Sequence, residues 1–130
     1  MISAPPFRDR VVHHAILNVT ESAFESFLIP HSYACRKGKG TLAALQAVQR
    51  MARRHREGFW LKMDIRKYFD SIPHEELLRR LGRRFREREM LALWERIIRG
   101  YEVNPERGMP IGSLTSQHLA NFYLGHVDHL

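Results

Sequence analysis

The chain has 130 residues, with 21 Lys and Arg against 14 Asp and Glu, a formal net charge of +7 and a hydrophobic fraction of 44%. That length suits one domain with a real core, and the basic excess leaves two classes of protein open: one with a polyanionic partner, usually nucleic acid, and one that is merely basic. Cys35 is the only cysteine, which excludes an internal disulfide and fits a reducing compartment.

Residues 1–10 hold two prolines and two arginines in place of an apolar run, so no signal peptide is expected. No stretch approaches the ~20 apolar residues of a membrane span. The expectation is a soluble, cytoplasmic protein with no membrane partner.

Taken in order, Pro5 and Pro6 punctuate the start, and Asp9 suits the N-cap of a helix running to about Phe27. Val12, Ala15, Ile16, Val19, Ala23, Phe24 and Phe27 recur at three and four, which predicts one buried face. Pro30 ends that unit. His31 to Gly40 reads as an ordered basic loop, with Gly38 and Gly40 among Arg36, Lys37 and Lys39. Thr41 caps a second predicted helix reaching Arg56, with Leu42, Leu45, Val48, Met51 and Ala52 inward and Gly58 at its stop.

Phe59 to Asp64 alternates as a strand does, with Phe59, Leu61 and Met63 on one face and Trp60, Lys62 and Asp64 on the other. After a short turn, Pro73 suits the first position of a helix to about Phe85, and Glu75 and Glu76 suit its N-terminal dipole. Another helix is predicted from Glu87 to Ile98. Tyr101 to Gly112 is a turn-rich connection. A last helix from about Leu114 uses Ala120, Tyr123, Leu124 and Val127 as its stripe. The fold class expected is α+β and helix-dominated, with too few strands to complete a sheet alone.

Chemistry concentrates in residues 61–72, Leu-Lys-Met-Asp-Ile-Arg-Lys-Tyr-Phe-Asp-Ser-Ile. A carboxylate at the end of an apolar strand, here Asp64, is an oxygen ligand of the kind Mg²⁺ takes from proteins, and the Ile65 carbonyl lies beside it. The alternative for Asp64 is a helix cap or ion-pair partner. Phe69 follows five residues later, and a turn leaving the strand can fold its ring against the sugar of an incoming nucleotide. A flat ring there blocks a 2′-hydroxyl without choosing among bases; the alternative is a core aromatic, the reading given to Tyr68.

Asp64 through Ile72 resembles the first palm motif of reverse transcriptases. Residues 3–14, Ser-Ala-Pro-Pro-Phe-Arg-Asp-Arg-Val-Val-His-His, are similar to the fingers motif of the bacterial enzymes. Ser32-Tyr33-Ala34-Cys35-Arg36 with Gly38 and Gly40 is similar to the next family block. Residues 108–117, Gly-Met-Pro-Ile-Gly-Ser-Leu-Thr-Ser-Gln, resemble the template- and nucleotide-facing motif that opens a long palm helix. The blocks stand in family order across the whole chain.

The resemblance implies part of the fingers and palm of a right-hand polymerase with an incomplete palm sheet. Residues 1–57 would be the remainder of the fingers and 58–130 the first part of the palm. The Tyr-x-Asp-Asp hairpin and the thumb are missing from the sequence, which looks cut at both ends. Implied roles are Asp64 in catalysis, Asp64 and Ile65 toward metal, and Phe69, Ile111 and Gly112 toward the nucleotide. Arg36, Lys37, Ser116 and Gln117 would contact nucleic acid. The cofactor would be Mg²⁺, two ions in the complete enzyme. Partners would be an RNA template, a DNA or RNA primer, deoxynucleoside triphosphates and an accessory retroelement protein.

Most members have Gln-Gly, then Ser-Pro, where this chain has Ile111-Gly112 and Ser116-Gln117. That form resembles the reverse transcriptases of diversity-generating retroelements, which copy RNA with frequent errors at adenines. A glutamine there could bond the nucleotide or template base for ~0.5–1.5 kcal/mol net, whereas Ile111 makes only apolar contact. Ile111 packed behind the turn is the alternative. Three further readings stay open: a non-catalytic remnant that binds nucleic acid, a group II intron-like reverse transcriptase, and a small basic helical module unrelated to polymerases.

The arginines clustered at 50–56 and 79–88 read by default as solvated faces, one of them within reach of a template backbone. The histidines show no metal spacing.

Overall fold

A computed structural model of the protein describes residues 5–100 and 105–130. Ser3 and Ala4 of the fingers-like block, and residues 101–104 of the turn-rich connection, lie outside the described residues. The elements are α1 (Phe7–Phe27), α2 (Thr41–Arg54), a single turn α3 (Tyr68–Ser71), α4 (His74–Arg84), α5 (Arg88–Arg99) and α6 (Leu114–Leu124), followed by a 3₁₀ turn at Val127–His129.

Helix α1 starts three residues earlier than an N-cap at Asp9 suggested. Pro6 is its N-cap, at φ −51° and ψ 156°, and Asp9 lies in the first turn, where its charge still favours the helix dipole. Gly40, at φ 109°, is the cap of α2 ahead of Thr41, and Pro73 is the cap of α4 rather than its first residue. The chain has no regular strand among its described residues; an isolated antiparallel bridge joins Pro73 and Arg107, and Ile111 is a further bridge residue.

The strand expected at Phe59–Asp64 is therefore corrected. A strand needs a neighbour to take its N–H and C=O groups, and among the described residues none pairs with this segment. Phe59, Leu61 and Met63 are solvent-exposed along with Trp60.

Helix α1 lies along α6, and α4 packs on both α5 and α6. The core is built on aromatic edges. The Phe24 ring meets Phe85 at 5.5 Å, Trp94 at 5.9 Å and Phe122 at 5.2 Å between centroids. Such pairs add ~0.5–1.5 kcal/mol each beyond their area. Ile72, Leu77, Leu81, Ile98, Met109 and Leu119 complete the cluster. Residues on either side of position 57 thus share one core.

Arginines help to hold it. Arg84 donates to the Ala23 carbonyl at 2.8 Å and to the Ser26 hydroxyl, tying α4 to α1. Arg80 donates to the Tyr123 carbonyl at 3.0 Å and lies 4.5 Å from that ring, tying α4 to α6. With Arg79 it also holds the Glu76 carboxyl down at about 2. Two of the six arginines at 79–88, expected on a solvated face, are thus committed to packing.

The apolar stripes need three corrections. On α2 only Ala47 is buried, and Leu42, Leu45 and Val48 stay exposed. Periodicity names residues that share a face, but the face is buried only where another element crosses it. On α6 the covered residues are Thr115, Ser116, Leu119, Ala120 and Phe122, while Leu124 and Val127 face out. On α1, likewise, Val12 and Val19 are exposed and His13, Leu17 and Thr20 are buried.

Candidate nucleotide and template site

From the end of α2 the chain runs without regular structure through Asp64 and Ile65 to Lys67. Lys67 turns it back with φ 51° and ψ 44°, a left-handed conformation uncommon for a side-chain-bearing residue. Asp64 is exposed, and among the described residues it makes no ion pair or side-chain hydrogen bond. Neither alternative role, cap or ion-pair partner, is observed there.

The turn delivers Tyr68 and Phe69 into α3, their rings edge to face at 5.8 Å. Tyr68 donates its hydroxyl to the Ala120 carbonyl at 2.7 Å, and burial, with Tyr123 nearby, raises its pKa. That confirms Tyr68 as the packing aromatic of the pair. Phe69 is half-buried against the same cluster.

The loop carrying Ile111 and Gly112 is stitched to this turn. Met109 donates its N–H to the Phe69 carbonyl at 3.0 Å, Gly108 donates to Ile72 at 3.0 Å, and His74 donates its main-chain N–H to Glu106 at 3.0 Å. The His74 Nε2 lies 2.7 Å from the Gly108 carbonyl oxygen. Glu106, Gly108 and Gly112 adopt φ of 60°, 94° and 109°, so the loop bends sharply at each, and glycine suits the last two.

Ile111 stands beyond these bonds, 45% exposed rather than packed behind the turn. Gly112 borders a cavity of about 160 Å³ lined also by Pro5, Arg10, His13, His14 and Leu114. Below it the Ser113 and Thr115 hydroxyls are 2.9 Å apart, and the His13 Nδ1 is 3.3 Å and 3.4 Å from them. Burial lowers the His13 pKa against the opposing pull of Asp9.

The basic loop docks on the other side of α6. Asn121 donates to the Ala34 carbonyl at 2.6 Å, and the Cys35 thiol to the Gln117 Oε1 at 3.3 Å. The Arg36 guanidinium is turned inward. It holds Glu25 at 2.8–3.1 Å and donates to the Ile29 and Ser32 carbonyls at 2.7 Å and 2.9 Å. Its side chain is 9% exposed, so it clamps the loop and leaves Lys37 as the exposed cation. Ser116 is also turned into the core, 3% exposed, which leaves Gln117 as the more accessible of that pair.

The structure thus ties the turn that carries Phe69 to Gly108 and Met109, the start of the loop that leads to Ile111 and Gly112, and brings Cys35 and Gln117 together. Sequence reading missed His74, Glu25, Asn121 and His13. Each acts through a partner elsewhere in the chain, and only His13, inside the fingers-like block at 3–14, had a local signal to mark it.

The whole chain, residues 1–130, matches the family model described as reverse transcriptase (RNA-dependent DNA polymerase). It is 31% identical over 136 aligned positions to the Escherichia coli protein YkfC, covering 98% of this chain and 36% of that protein. It is 26% identical over 133 positions to the group II intron-encoded protein LtrA of Lactococcus lactis, covering 98% of this chain and 22% of LtrA. An uncharacterized 91 kDa protein in a cob intron of Schizosaccharomyces pombe is 28% identical over 127 positions, covering 93% of this chain and 16% of that protein. The described fold is helix-rich, and the chain belongs to the reverse transcriptase family. It spans between about a sixth and just over a third of the length of these relatives. No helix among the described residues is long and apolar enough to cross a membrane.

Proposed function

We propose that this chain is a segment of an RNA-directed DNA polymerase acting in a retroelement. The observation that carries the reading is the stitch between Phe69 and Met109. It joins a candidate sugar gate, five residues from the exposed carboxylate of Asp64, to a candidate nucleotide-facing loop. In this reading residues 1–57 belong to the fingers and 58–130 to the palm of an α+β right hand, whose sheet takes strands from outside the described residues. An RNA template, a primer, deoxynucleoside triphosphates and an accessory protein would be its partners, in the cytoplasm.

One exposed, unpaired carboxylate fits the way Mg²⁺ takes one or two carboxylates from a protein and the rest of its ligands from phosphates and water. Among the described residues no group of three or more His, Cys, Asp or Glu gathers to hold a metal. Asp64 and the Ile65 carbonyl would thus form one part of a two-ion site. Such ions stabilise the attacking and leaving oxygens of the phosphoryl transfer. Phe69 excludes a 2′-hydroxyl, Ile111 and Gly112 face the nucleotide, and Lys37 and Gln117, with Ser116 and Arg36 behind them, face nucleic acid.

The test is primer extension on an RNA template with Mg²⁺ or Mn²⁺, using the full-length polymerase that carries this segment. Asp64→Asn should abolish extension; extension that survives it would sink the assignment. The 130-residue chain itself should bind RNA without extending a primer, with a log–log salt slope near one unit per phosphate neutralised. Full-length protein that binds but never extends would identify a non-catalytic remnant.

Two subtypes compete. Ile111-Gly112 with Ser116-Gln117 favours the diversity-generating type, and similarity to LtrA favours a group II intron type. Ile111→Gln should lower misincorporation opposite template adenine by about two- to tenfold if the first holds. An unchanged error spectrum would favour the second.

A further inference from the structure

His74 opens α4 and is fully buried, yet it bonds the loop ahead of α6 through both its main chain and its ring. Its main-chain N–H bonds the Glu106 carbonyl at 3.0 Å, and its Nε2 meets the Gly108 carbonyl oxygen at 2.7 Å. A carbonyl can only accept, so Nε2 carries the hydrogen of that bond. The other nitrogen, Nδ1, is buried with no hydrogen-bond partner. Between described residues, no other side chain makes a hydrogen bond to the segment 105–112.

A buried polar atom without a partner works against stability, and an apolar side chain of similar volume would avoid it. The imidazole therefore has a use that packing alone does not supply, and the only group it engages is Gly108. That residue is held on both sides, its N–H by Ile72 and its carbonyl by His74, while its φ of 94° starts the bend toward Ile111. Without the Nε2 bond, the Gly108–Met109 peptide keeps only the bond from the Met109 N–H to the Phe69 carbonyl, and the loop that follows is held on one side instead of two.

We propose that His74 is a positioning residue: through the Gly108 carbonyl it sets the Gly108–Gly112 backbone against Phe69, and so tunes nucleotide selection without touching the nucleotide. The functional half of this rests on the polymerase reading above; the structural half does not.

The experiment compares His74→Leu, which keeps volume but loses the donor, with His74→Gln, whose amide restores an N–H near the position of Nε2. In the 130-residue chain, thermal unfolding is followed beside amide hydrogen exchange. The expected result is a His74→Leu chain that unfolds no earlier than the parent, while the Gly108 and Met109 amides exchange about tenfold faster or more and those of Leu77 and Leu81 do not. His74→Gln should bring the exchange back. Unchanged loop exchange in His74→Leu would overturn the proposal. So would a chain that melts early or fails to fold, with α4 and the loop opening together, since His74 would then be an ordinary core residue.

In the full-length polymerase, His74→Leu should raise KM for deoxynucleotides and the misincorporation rate several-fold, with kcat within about twofold of the parent and recovery in His74→Gln. If the parent extends primers and His74→Leu changes neither KM nor fidelity, the selection role fails. If the parent never extends, the polymerase reading fails, and the exchange measurement still decides whether His74 positions the loop.

Discussion

The carbonyl of Phe69 accepts a 3.0 Å hydrogen bond from the N–H of Met109, across forty residues of chain. The contact is main chain to main chain, so the Phe69 ring can be removed without cutting it. Phe69→Ala in the full-length polymerase should therefore leave the loop in place and open the space beside the sugar. Ribonucleotide incorporation relative to deoxynucleotide should rise by about tenfold, equivalent to ~1.4 kcal/mol of lost discrimination. Single-nucleotide incorporation rates measure it. If both rates fall together, Phe69 serves the core only.

Phe24 joins three of the core's aromatic rings, Phe85, Trp94 and Phe122, and is 2% exposed. Phe24→Ala should cost ~3–5 kcal/mol, since the rigid neighbours cannot close the cavity. Denaturant unfolding of the 130-residue chain tests this. A loss under ~1 kcal/mol would mean that the α1 end of the cluster collapses freely.

Arg36 and Lys37 are adjacent and should behave oppositely. Arg36→Ala removes the clamp on Glu25, Ile29 and Ser32, and should lower stability by about 1.5–3 kcal/mol. Lys37→Ala should leave stability within ~0.5 kcal/mol and reduce the salt slope of RNA binding by about one unit. Unfolding curves and a salt titration of both variants decide the matter; a Lys37→Ala slope equal to the parent's would remove this lysine from the interface.

Burial lowers the pKa of His13, His118 and His126 below the ordinary 6.5. For His118 the carboxylates of Glu21 and Glu25 oppose the shift, and for His126 the bond to the Phe122 carbonyl does. Below 6.5 the unfolded chain binds more protons at these sites than the folded one. Their contribution is complete above that pH and is lost as pH falls through the folded-state values. The unfolding temperature should decline from about pH 7 to about pH 5, and His118→Gln should flatten that decline. An unfolding temperature independent of pH over this range would contradict the burial of these rings.

The sequence by itself determined the helices and the family, because both are written in short spacings. Apolar residues at three and four marked α1, α2, α4, α5 and α6 to within a few residues. The five-residue step from Asp64 to Phe69 and the glycine-bracketed loop at 108–112 were legible for the same reason. What only the tertiary structure decided is which faces are covered and which side chains are already engaged. The leucines of α2 share a face that no described element crosses, and the alternation at 59–64 finds no neighbour among the described residues to make it a strand. Arg36 turned from a surface cation into a clamp because Glu25 stands eleven residues away on α1. His74 and Gly108 meet across thirty-four residues. Local spacing fixes what a segment prefers, whereas burial and hydrogen-bond partners depend on segments that meet only when the chain closes on itself.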